Sequence, residues 1–252
     1  MKIKQDLISV NYTKASNRKI DWIVIHYFGS LGTDEAVVNY FDRSGVYASA
    51  HYALDGDSIT QAVLDKDIAW HCGDRGIGEY KKLCDNNNSI GIEVQPTKIY
   101  KSTMNASDPD WYFEPEVIDN LTWLVSELMA KYNIDADHVI RHYDVTGKLC
   151  PRPFVGRDLN SYYKRTGDQV WNDFKNELRG DNDVTQEEFN AKMDVYLEGL
   201  KKQEPSAWSA EVRAWAEENK LIAGDEKNNK QYKMLVTREQ LMVFLKRIHD
   251  MK

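Results

Sequence analysis

The stretch DWIVIHYF at positions 21–28 sets the fold. A short apolar run rich in β-branched residues reads as a strand buried in the middle of a sheet, and it carries one polar ring, His26. The period then changes. GTDEAVVNYFDR (32–43) starts a helix, with Thr33 as N-cap and acidic side chains in the first turn. Further along, SAHYALDGDSITQAV (49–63) reads as two strands joined at Asp55-Gly56, a hairpin signal. SIGIEVQP (89–96) is another strand, stopped by Pro96, and HVIRH (138–142) is a last short one. Between them Pro115 opens a helix whose Ile118, Leu121, Val125 and Leu128 recur at helical spacing. Val170, Phe174 and Leu178 mark a closing helix ending at Gly180. Strands alternating with amphipathic helices imply an α/β layer architecture up to about residue 180.

Beyond GDNDVTQ (180–186) the β signals stop. Thr185 followed by Glu188 is a capping-box pattern, and Phe189, Met193, Tyr196, Leu197 and Leu200 form one apolar stripe ahead of Pro205. SAWSAEVRAWAEENK (206–220) and TREQLMVFLKRIHD (237–250) are helical and flank LIAGDEKNNKQYK (221–233). The expected organisation is therefore an α/β domain over 1–180, a helical linker over 181–204 and a small all-α module over 205–252. The stripe on the 185–202 helix offers a face through which two chains could pair as a homodimer.

Bulk properties narrow the function. A net charge of -7, without clustered Lys or Arg, disfavours a general nucleic-acid binder. Hydrophobic content of 42% and charged content of 29% fit a soluble globular protein, and no segment reads as a membrane span. Asp6 and Asn11 interrupt the apolar residues of the N-terminal stretch, so no secretory signal is expected there and the chain should fold in a cytoplasm. Cysteines 72, 84 and 150 are odd in number and irregularly spaced, so they read as thiols and not as a disulfide framework.

RHYDVTGKLCP (141–151) places Cys150 shortly after His142. Zinc prefers imidazole and thiolate, and catalytic sites commonly use three protein ligands with a fourth position left for water. His26, His142 and Cys150 are such a set. Their spacing is not that of a zinc finger, so only the fold could bring them together, at strand ends and loops. On spacing alone, a buried thiol beside two ordinary histidines is the better reading of the same residues.

The blocks DWIVIHYF, SAHYALDGD, AWHCGD, NSIGIEVQ and VIRHYDVTGKLCP, in this order over residues 20 to about 160, resemble the type-2 N-acetylmuramoyl-L-alanine amidases, zinc enzymes related to the peptidoglycan recognition proteins. The resemblance implies a mixed central β-sheet flanked by helices, with one zinc ion per chain in a groove at the sheet edge. It makes His26, His142 and Cys150 the metal ligands. It also assigns Glu93 to the attacking water and Lys148 to the scissile carbonyl. With one thiolate and two neutral imidazoles such a site keeps a formal charge of +1, enough to polarise an amide carbonyl. His71 and His51 match histidines with substrate-lining or supporting roles. Trp70, Tyr27, Phe28 and Trp111 could stack on sugars or fill the core. Some phage relatives carry a catalytic tyrosine where this chain has Ala50, which favours the branch that relies on Glu93. The implied reaction is hydrolysis of the amide between N-acetylmuramic acid and L-alanine in peptidoglycan. A zinc peptidase cutting within the stem peptide and a non-catalytic recognition protein are the alternatives, and Cys150 argues against the second.

The tail, AWAEENKLIAGDE (214–226) with VTREQLMVFLKRI (236–248), resembles an S-layer-homology-like wall-binding module, which implies a secondary cell-wall polymer as a further partner. An amidase with such a tail and no export signal is expected to be a phage or prophage endolysin, cytoplasmic until released to the wall.

Overall fold

The computed structural model describes residues 2–73, 76–180, 186–222, 230, 232–233, 236 and 238–250; the side chains at 186–189 and 192 also lie outside the description. By its internal contacts the chain divides into two compact units, Met1–Asn182 and Asp183–Lys252.

The first unit is a mixed sheet covered by helices on both faces, as the alternation of patterns implies. In chain order its elements are β1 (Lys4–Gln5), β2 (Tyr12–Thr13), β3 (Trp22–Tyr27), α1 (Asp34–Phe41), β4 (Tyr52–Leu54), β5 (Ile59–Gln61), β6 (Ile68–Ala69), β7 (Ser89–Val94), β8 (Thr97–Lys98), β9 (Trp111–Tyr112), α2 (Pro115–Tyr132), β10 (Val139–Arg141), α3 (His142–Thr146) and α4 (Gly167–Arg179). Six strands form the main sheet in the order β1-β5-β4-β7-β3-β10, and two short pairs, β2-β6 and β8-β9, lie outside it. The DWIVIHYF strand is interior and runs parallel to both neighbours, with Val24 opposite Gly91, His26 opposite Glu93 and Ile23 opposite Val139. The Asp55-Gly56 hairpin forms as expected, pairing β4 antiparallel with β5.

Alternation along the strands sorts the side chains. Ile23, Ile25, Ile90, Ile92 and Val94 join one apolar cluster with Val117, Leu121, Leu124, Val125 and Leu128 of α2 and with Trp171 and Phe174 of α4. Val24 and Ile140 belong to a separate cluster with Cys72, Cys84 and Val145. A third cluster packs Val38 and Phe41 of α1 against Ala53. Trp111, one of the candidate sugar-stacking rings, is fully buried in the first cluster and so serves the core.

The helix ends follow local chemistry. Thr33 Oγ1 accepts from the Ala36 amide at the start of α1, Pro115 occupies the first turn of α2, and α4 ends at Gly180 with φ of 69°. The last strand is shorter than the HVIRH reading, because His142 begins the short helix α3. Asp144 accepts from the Arg141 amide at its start, and Gly147, at φ of 79°, ends it after five residues in a left-handed turn. That turn sends the chain back, and the Tyr143 amide donates to the Cys150 carbonyl at 2.8 Å.

The second unit contains α5 (Gln186–Lys201), α6 (Ala210–Glu218) and α7 (Arg238–Asp250), as expected from their patterns. The helix read as a linker falls inside this unit. Leu200 is buried, and Met193 and Leu197 are half-buried, whereas Tyr196 is exposed. Thr185, most of 221–233 and the Glu188 and Phe189 side chains lie outside the described residues. Among the described residues no helix is long and apolar enough to cross a membrane.

Candidate metal centre and groove

His26 near the end of β3, His142 just after β10 and Cys150 beyond the Gly147 turn meet at the carboxyl ends of parallel strands. Their ligand atoms lie within 4.8 Å of one another, the one such group of three or more His, Cys, Asp or Glu among the described residues. His26 Nδ1 is 3.8 Å from Cys150 Sγ, and the His26 and His142 rings are 4.5 Å apart between centroids. His142 Nδ1 is buried without a hydrogen-bond partner. Burial, reinforced by the facing imidazoles and Lys148, pushes the proton affinity of His26 well below the usual histidine value. Burial and Lys148 lower His142 to about 4. Both rings therefore stand neutral with lone pairs available.

Burial also raises the Cys150 thiol, opposed by a hydrogen bond from the Tyr27 amide and by Lys148. A buried thiol that resists ionisation by itself is released from that cost when a cation takes its proton's place. Two neutral imidazoles and one thiolate form a donor set that suits zinc, and the unpartnered His142 Nδ1 is the kind of buried atom a metal would satisfy. These residues fit the metal.

Glu93 stands beside His26 in strand register. Its Oε2 is buried with no hydrogen-bond partner, and burial raises its carboxyl to about 8 against the pull of Lys148. Glu93 and the exposed Lys148 border a cavity of about 570 Å³, which Tyr27, Phe28, Ala36 and Tyr40 also line. The cavity thus joins the candidate acid-base group, the candidate cation and aromatic rings in one groove.

The three residues expected to line substrate have other surroundings. His51 is fully buried, with Nε2 3.1 Å from the Asp67 carbonyl and Nδ1 accepting from the Gly91 amide at 3.0 Å. It ties β4 to β7 and has no face left for a ligand. His71 is half-buried, and both its ring nitrogens have protein partners, His26 Nε2 at 3.1 Å and Ser89 Oγ at 3.2 Å, which leaves neither for peptide or sugar. Trp70 is half-buried and its indole donates to Thr13 Oγ1 at 3.0 Å.

Other residues in the support of the site are not singled out by the sequence reading. Arg141 reaches Asp144 at 2.8 Å, Asp168 at 2.7 Å and the Phe154 carbonyl at 2.6 Å, which clamps the segment carrying His142. Asn86 Oδ1 accepts from the amides of His71 and Cys72. The Arg141 and Asp144 pair, three apart at a helix start, carries a sequence signal; the role of Asn86 depends on contacts between distant segments and carries none.

An α/β sheet gathers two histidines and a cysteine at its strand ends, a group that could hold a metal ion, beside a half-buried glutamate and an open groove. Comparison with known proteins makes this specific. The N-acetylmuramoyl-L-alanine amidase family profile matches residues 16–153, and the chain belongs to that family. A protein of Bacillus licheniformis, named a probable N-acetylmuramoyl-L-alanine amidase, is 30% identical over 178 residues, 66% of this chain and 47% of its own length. The amidase CwlL of the same species is 25% identical, over 68% of this chain and 48% of its length. The chain thus spans about half the length of these relatives. Among solved structures, the catalytic domain of XlyA aligns with a TM-score of 0.51 and 26% identity, over 69% of this chain and 97% of that domain.

Proposed function

We propose that the first unit is a zinc-dependent amidase that cleaves peptidoglycan between N-acetylmuramic acid and L-alanine. The observation that carries this reading is the convergence of His26, His142 and Cys150 beside Glu93, in a chain of this family. The three residues would hold one zinc ion, which supplies Lewis-acid chemistry and brings the pKa of water from ~16 to about 7.

The chain's own groups do the rest. Glu93, buried and unpartnered at Oε2, takes the proton of the attacking water and delivers it to the departing nitrogen, because an amine anion is a very poor leaving group. Burial raises the proton affinity of this carboxyl above its ordinary value, which makes its ionised form a stronger base toward the attacking water. Lys148, which also lines the groove, supplies positive charge for the oxygen on which negative charge grows. Tyr27 and Phe28 give the cavity an apolar wall.

The reading extends to a lytic role as a phage endolysin, cytoplasmic until released, with the second unit holding the enzyme at the wall through a secondary polymer. Trp208 and Trp215, 85% and 50% exposed, support a binding surface on that unit.

Digestion of purified peptidoglycan followed by mass spectrometry tests the activity. New L-alanine amino termini and peptide-free muramic acid are expected from the zinc-loaded protein and not after chelation. Other new amino termini would mean a peptidase, and no new termini would mean recognition without cleavage.

A further inference from the structure

The His71 contacts described above decide which proton each neighbouring ring carries. Ser89 Oγ donates to the Asp85 carbonyl, an oxygen that can only accept. With its one proton committed there, Ser89 Oγ must accept from His71 Nε2, 3.2 Å away. His71 therefore bears its proton on Nε2 and presents a lone pair at Nδ1. The partner of that lone pair, 3.1 Å away, is His26 Nε2, which must then be the protonated nitrogen of His26. What remains on His26 is a bare Nδ1, and it faces Cys150 Sγ.

The surroundings hold this chain of contacts in place. A Cβ on Gly91 would lie 2.4 Å from the His71 ring, so the ring sits against bare backbone at the one glycine that gives it room. The His71 amide is fixed by Asn86 Oδ1 at 3.0 Å, and His26 and His71 meet edge to face with centroids 5.2 Å apart.

We propose that His71 is a positioning residue: braced by Ser89 and the Asp85 carbonyl, it fixes His26 in its Nε2-protonated form and keeps Nδ1 bare and aimed at Cys150 and a zinc ion. The inference deepens the zinc reading and rests on it for its consequence. The tautomer itself is a property of the chain alone. Partners outside a ligand shell that orient a histidine in this way change metal affinity by about 10- to 100-fold.

Long-range 1H-15N correlation of the imidazoles in the full-length protein reads the tautomers directly. Protons on Nε2 of both His26 and His71 are expected without metal; a proton on His26 Nδ1 would overturn the inference. Zinc affinity, measured by competition with a chromogenic chelator, gives the second readout. His71→Leu is expected to weaken zinc binding by about 10- to 100-fold. His71→Asn, which keeps an acceptor near the Nδ1 position, is expected to recover most of the loss. A folded His71→Leu protein with zinc affinity within about twofold of the parent would refute the positioning role. Should His71→Leu fail to fold, Ser89→Ala still tests the chain, with a smaller loss of affinity expected and no loss refuting it. If the parent protein itself takes up no zinc, the proposed amidase falls, and the tautomer measurement still decides the placement of the protons.

Discussion

Asp65, buried, and Glu93, half-buried with its Oε2 shielded, are two carboxyls of the same unit that meet opposite fates. Burial pushes Asp65 up, but hydrogen bonds from Lys131 at 2.7 Å, Tyr132 at 2.5 Å and Tyr52 at 2.6 Å outweigh it and hold the group below its ordinary value. Gln61 adds another donor at 2.9 Å. Glu93 has no partner at Oε2, so burial wins and its carboxyl rises to about 8. A satisfied buried carboxylate joins elements, here α2 to the β4-β5 hairpin. An unsatisfied one stores the capacity to accept and give a proton, at a cost in stability that the rest of the core offsets.

Substitutions can break this contrast. The largest effect is expected at the candidate metal centre beside Glu93: Cys150→Ser or His26→Ala should empty the centre of zinc, seen by elemental analysis, and reduce wall lysis to background. Glu93→Gln comes next, with zinc retained and turnover of a soluble muropeptide falling by about 10²- to 10⁴-fold. An unaltered rate would remove Glu93 from the chemistry. Lys148→Ala should lower kcat by on the order of 10²-fold, with little change in zinc content.

On the satisfied side the readout moves from activity to stability. Asp65→Ala strands the donors gathered around it and should cost about 3 kcal/mol in urea unfolding, while the remaining folded molecules turn over at the parent rate. The sign with pH follows from its lowered proton affinity. The stability Asp65 contributes is fully present above pH 3.8, the ordinary value from which it is shifted, and is lost as the pH falls through the folded value. Asp65→Asn should therefore blunt acid unfolding in that range. The smallest effect is expected at Thr33→Ala, about 1 kcal/mol from the lost cap of α1.

The sequence makes the long elements legible because each has a period, a start and a stop. β3 reads as a buried strand from its apolar run, α2 from Pro115 and its spaced leucines, and α4 from Gly180. Strands of two residues such as β1, β2, β6, β8 and β9 are too short to show any period, and they form through pairing between distant segments. The gathering of His26, His142 and Cys150 was legible from their residue types together with the family resemblance. The surroundings of His51 and His71 were not. Residue type says that an imidazole can bind metal, substrate or backbone, and only the fold shows that Gly91, Asp67 and Ser89 had already engaged their nitrogens.

Cys150 lies 124 positions from His26 along the chain. A growing polypeptide that has made only its first strands owns one of the three donors and can retain no ion with it. The centre is completed near the end of the first unit's synthesis, after the sheet that aligns its members exists. Whatever chemistry it performs is thereby withheld from every copy whose synthesis has not passed Cys150.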